Sequence, residues 1–243
     1  MKRAAAWLLL AAPLAAAADD ALPPLQDAPG EYARRAAAAS TAPTPCAAGD
    51  AVDLAVAADT RTGIDASYDA ARGRLHILYR MGFNQLTEGW NWHPELALAG
   101  DDYYTFKYLP LASVEEDRGG YRAEDKIGAP QEFRVQWRTD YFFAFDNPYE
   151  FYAHEADDDI GFVADVAVPA AEGARLAGGD LRMALSGRLG ANCLSDSTTF
   201  WKATSATPVD FTLKKRYLVG KLAAVWFYDA ASGRVLARLD PRK

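Results

Sequence analysis

Between residues 131 and 146 the chain alternates with period two. Phe133, Val135, Trp137, Tyr141, Phe143 and Phe145 fall on one side, and Arg134, Gln136, Arg138, Asp140 and Asp146 on the other. On a helix these apolar residues scatter around the axis, whereas in an extended strand they make one continuous face. The spacing predicts a long amphipathic strand, bent or bulged near Thr139 or Asp140, where the large apolar series pauses.

The same alternation recurs at Leu75, Ile77 and Tyr79, at Tyr104, Phe106 and Tyr108, and at Phe162, Ala164, Val166 and Val168. It returns at Leu181, Met183 and Leu185, at Thr199, Trp201 and Ala203, at Val209, Phe211 and Leu213, and at Leu222, Ala224, Trp226 and Tyr228. One buried face per strand is the mark of antiparallel sheets, because parallel sheets covered on both sides show continuous apolar runs and long helical crossovers. The expected fold is all-β: a single antiparallel β-sandwich or flattened barrel of about nine to eleven strands.

Two turns share one wording. Residues 68–74 read Tyr-Asp-Ala-Ala-Arg-Gly-Arg and residues 228–234 read Tyr-Asp-Ala-Ala-Ser-Gly-Arg. In each an Asp can cap its own turn and a Gly four residues later can take positive φ, so both predict tight hairpin turns. The flanking sequences do not align further, so shared turn chemistry explains the match better than a duplicated half-domain. One short helical connection is expected near residues 169–178, with Pro169 at its start and Gly178 and Gly179 at its end.

Residues 19–45 are rich in Ala and carry Pro23, Pro24, Pro29, Pro43 and Pro45. This arm cannot build a core of its own, but Pro29 and Glu31 suit a first helical turn, and residues 31–40 are expected to form a short N-terminal helix. The β-domain then runs from residue 46 to residue 243. Ahead of the arm, Lys2 and Arg3 precede an apolar run, and Ala16 and Ala18 supply small residues at a cleavage site. Residues 1–18 therefore read as a signal peptide, which predicts a periplasmic or secreted protein that is not inserted in a membrane. In that setting an even cysteine count predicts a disulfide between Cys46 and Cys193.

The full chain carries a net charge of −7, which becomes −9 once Lys2 and Arg3 leave with the leader. So acidic a surface excludes nucleic acid and anionic bilayers as partners. Neither a Gly-rich phosphate loop nor a G-x-S-x-G elbow occurs, and nothing in the sequence calls for a cofactor. His76, His93 and His154 are the three histidines, and none stands at metal-ligand spacing, so no metal site is expected. The acidic run Asp157, Asp158 and Asp159 lacks calcium-loop spacing and reads as a surface turn.

One constellation points to binding. Trp90 and Trp92 are two residues apart, so an extended segment aims both indoles the same way, and Glu88 and His93 can supply hydrogen bonds beside them. The competing reading makes both tryptophans core residues on one strand face. The function expected is that of a non-enzymatic binding protein, taking a small molecule, a glycan or a protein partner on an aromatic surface or cleft. An exported hydrolase is the first alternative, with paired carboxylates drawn from Glu88, Glu95, Asp101, Asp102 and Glu150. The second is a structural, partner-binding subunit of an envelope assembly.

Overall fold

The computed structural model describes residues 21–40, 46–57, 64–80, 107–124, 128, 130–151, 153–154 and 160–242. The leader at 1–18, the Trp90, Trp92, His93 and Glu88 constellation, and the acidic run at 157–159 lie outside the described residues.

In chain order the elements are α1 (Ala28–Ala39), β1 (Ala51–Ala55), β2 (Ile64–Asp69), β3 (Arg74–Arg80), β4 (Lys107–Glu124) and β5 (Pro130–Phe145). A 3-10 turn at Pro148–Glu150 precedes β6 (Ala153–His154) and β7 (Ile160–Ala167). Then follow α2 (Ala170–Arg175), β8 (Leu181–Trp201), β9 (Val209–Asp229) and β10 (Val235–Leu239). One sheet runs β1-β8-β9-β5-β4, with β10 also on β9, and the other runs β2-β3-β7-β6. The fold is all-β with two short helical elements.

The sheet is not wholly antiparallel. β5 and β9 pair in parallel from Arg134 opposite Val209 to Phe145 opposite Gly220. Two long hairpins, β4–β5 and β8–β9, lie side by side through their second strands, and these run the same way. Side chains alternate in both kinds of pairing, so the period-two pattern carries no information about relative direction. The bulges also fall elsewhere than expected. β5 is continuous through Thr139 and Asp140, and in its pairing with β4 the register shifts lie between Pro110 and Ala112 and between Asp117 and Gly120; β8 shifts against β9 between Ser186 and Gly187 and between Leu189 and Leu194.

Both shared-wording turns form. Asp69 Oδ1 accepts from the Ala71 and Arg72 N–H groups, Asp229 Oδ1 accepts from Ala231 N–H, and Gly73 and Gly233 take φ of 65° and 70°. They close the β2–β3 and β9–β10 hairpins. Helix α1 starts three residues before Glu31, because the Asp27 carboxylate caps it by accepting from Gly30 N–H at 2.7 Å. Its buried Glu31 accepts from Arg34 and Arg35, and Arg35 also donates to Asp50 at 2.6 Å. The Cys46–Cys193 disulfide forms and joins the end of the arm to β8.

Inner residues of both sheets share one buried cluster. Leu75, Ile77, Tyr79 and Phe162 of the smaller sheet meet Leu109, Phe143, Phe145, Met183, Leu185 and Phe227 of the larger. Gly187 belongs to this packing, since a Cβ there would run into the Phe143 ring. The four long strands outrun the cluster: towards residues 113–140 and 195–216, most side chains become half-buried or exposed. That extension carries the candidate site.

Candidate functional site

Among the described residues the exposed large hydrophobic side chains are Val114, Tyr121, Tyr149, Phe200 and Trp201, and all but Tyr149 lie on the extension. By the register, Val114, Tyr121 and Phe200 share the face of Trp137, and Trp201 stands on the other face. The sheet there is two-sided, so its faces are distinct.

On one face the register sets Trp201, Phe211 and Gln136 in a row across β8, β9 and β5, with Thr199, Leu213 and Arg138 in the next row. Trp201 is 47% exposed, and its ring centroid stands 5.6 Å from that of Phe211 with the planes 30° apart. Arg138 lies over Phe211 at 5.7 Å and pairs with Asp140 at 3.1 Å, while its Nε is buried and has no hydrogen-bond partner among the described residues. Two aromatic rings tilted by 30°, flanked by an amide, a hydroxyl and a guanidinium, form a shallow surface with apolar faces and polar edges.

The opposite face is arranged around Trp137. Lys214 Nζ stands 3.7 Å and Arg118 Cζ 4.3 Å from the indole centroid, and Arg118 also pairs with Glu116. This indole is already engaged by two cations of its own chain, whereas among the described residues none stands over Trp201. At the tip, Tyr121 stacks on Phe133 at 5.3 Å and donates its hydroxyl to Asp210 at 2.9 Å, and Lys202 donates to both Tyr121 and Asp210. These bonds hold the Lys202 ammonium above its ordinary pKa, and the Ala203 N–H together with Lys202 holds the Asp210 carboxyl below the usual range. A cleft of about 430 Å³ opens beside Gly120 and Phe133. Its charged walls are already matched, Arg134 with Asp117 at 2.8 Å and Arg122 with Glu132 at 2.7 Å.

Comparison with family models, with curated proteins and with solved structures finds no match to this chain.

Of the residues expected to act, the structure describes Cys46 and Cys193, which are bonded, and Glu150, which accepts from Asn147 Nδ2 at 2.8 Å in the turn after β5. Trp90, Trp92, His93 and Glu88 lie outside the described residues, as do Glu95, Asp101 and Asp102. Asp50, Asp117, Asp210 and Asp229 have their pKa values displaced downward by cations and N–H groups. A proton-donating carboxyl needs the reverse.

One further row resembles catalytic chemistry in composition. Ser67, His76 and Asp165 sit in register across β2, β3 and β7, with His76 Nδ1 3.1 Å from Asp165 Oδ1. The row lies on an exposed sheet face, with 35% of the His76 side chain and 53% of the Asp165 side chain in solvent. Acyl transfer depends on a water-excluding, preorganised site, which an open sheet face does not supply.

The period-two pattern places Trp201 and Phe211 only on strand faces. What marks them out is the company they keep: Ser197 and Thr199 precede Trp201 on its own face, where a core-facing strand places large aliphatic residues.

Proposed function

We propose that this protein is an exported, non-enzymatic binding protein that takes a glycan on the platform made by Trp201 and Phe211. The observation that carries the reading is the row Trp201, Phe211 and Gln136, with Arg138 and Thr199 beside it, on an open sheet face. Sugar rings present flat C–H faces that pack on aromatic planes, and hydroxyls around their rims that need donors and acceptors close by. An open platform suits an extended chain better than a small molecule, which is ordinarily enclosed on most sides. We further infer that the two sheets face each other across their shared buried cluster as a sandwich, with the binding face on the part of the larger sheet that projects beyond it.

The test is affinity electrophoresis through gels containing neutral and acidic polysaccharides. Retardation of the wild type should be lost in Trp201→Ala, and the unfolding midpoint should hardly move, because nearly half of this side chain is already in solvent. Equal retardation of both proteins, or none in any gel, refutes the glycan reading.

A further inference from the structure

Among the described residues the larger sheet has two open edges, and they are built differently. β4 forms one of them, with Pro110, two register shifts against β5 and the charged run Glu115, Glu116, Asp117 and Arg118. Prolines, bulges and charges are the devices that keep an edge strand from pairing with another chain. At the other edge β1 covers β8 only from Ala184 to Arg188. From Leu194 to Trp201 β8 pairs with β9 without a register shift, and among the described residues no strand pairs with its other side. Residues 195–201 contain neither Pro, Gly nor Lys, and Asp196, Thr198, Thr199, Phe200 and Trp201 are all exposed. Thr, Phe and Trp are strong strand formers, so this edge is ready to pair.

We propose that it pairs with a second copy of itself, antiparallel, about a two-fold axis at Thr199. The sequence of the run selects that occupant and that register. Centred there, Thr199 meets its own copy, Thr198 meets Phe200, Ser197 meets Trp201, and Asp196 meets Lys202. Threonine pairs and threonine–aromatic pairs are good cross-strand neighbours, and no like charges oppose each other. Asp196 already pairs with Arg216 at 2.7 Å and Lys202 with Asp210 at 2.9 Å, so the run is locally compensated although the whole chain is acidic. Centring on Thr198 instead sets the Asp196 carboxylate against Phe200 and gives up the opposite-charge match.

Such a contact is isologous and closed, so it stops at a dimer. It also places the two Trp201 platforms on the same face of one continuous sheet, four residues apart along paired strands, or about 14 Å. The edge and the platform share Thr199 and Trp201, but a wild type that is monomeric throughout leaves the platform of each chain in place.

Sedimentation velocity on the purified protein, across a micromolar to millimolar series, reads the outcome. The wild type should shift to dimer mass with concentration. Thr199→Lys and Thr199→Asp each set like charges across the axis, and both should stay monomeric while melting as cooperatively as the wild type, since residue 199 is exposed. An equimolar mixture of the two variants should regain dimer mass. Val114→Lys, on the opposite edge strand, should leave the dimer unchanged. A wild type that is monomeric throughout, a Thr199→Lys variant that dimerises normally, a mixture that stays monomeric, or loss of the dimer in Val114→Lys overturns the proposal.

Discussion

Trp137 and Phe143 lie on the same face of the same strand, and truncating each to alanine should give very different costs. Phe143 is fully buried, stacks on Phe145 at 6.2 Å and fills the space left by Gly187. Phe143→Ala removes the ring and leaves a cavity among residues that cannot close it, which costs about 3 to 5 kcal/mol. Trp137 is larger but only partly buried, and its main partners are Lys214 and Arg118. Cation–π contacts at such sites are worth roughly 0.5 to 1 kcal/mol each, so with its partial packing Trp137→Ala should cost about 1 to 2 kcal/mol. Urea unfolding with linear extrapolation measures both, provided the slope m is unchanged, so that a shifted midpoint reports stability alone. A Trp137→Ala cost equal to or above that of Phe143→Ala refutes the reasoning, because it means that the extension is core.

Thiol titration of the denatured, unreduced protein should find no free thiol, since Cys46 and Cys193 are bonded. Replacing both by alanine should destabilise by at most about 5 kcal/mol, the chain-entropy figure for a crosslink spanning 147 positions. Asp229 gives a pH dependence of known sign. The Arg175 guanidinium, with Ser232 and the Ala231 N–H, holds its carboxyl well below the ordinary value of 3.8. Its contribution is therefore complete above about pH 4 and is lost as pH falls further, through the folded-state value. Thermal melts between neutral and acid pH should show Asp229→Asn less stable at neutrality and losing less than the wild type on acidification. Parallel curves for the two proteins refute this assignment.

The sequence determined much of the local structure. Alternation at Phe133, Trp137 and Phe143 specified strand, because extended backbone aims every second side chain the same way whatever surrounds it. The Asp and Gly of the two shared-wording turns specified hairpins, since the carboxylate caps its own backbone and glycine alone takes positive φ without cost. Pro29 with Glu31 placed α1 to within three residues, and the cysteine count gave the disulfide. All of these depend on interactions short in sequence or on a pairing with one possible partner. What only the tertiary structure decided is everything that depends on which strand lies beside which. The parallel pairing of β5 with β9, the two unlike edges of the sheet and the meeting of Trp201 with Phe211 and Gln136 join residues far apart in the chain. Phe143 and Trp137 look equivalent in the alternation, yet one is sealed inside and the other lies under two cations. Periodicity states which face a side chain takes, whereas burial depends on what the rest of the chain brings to cover that face.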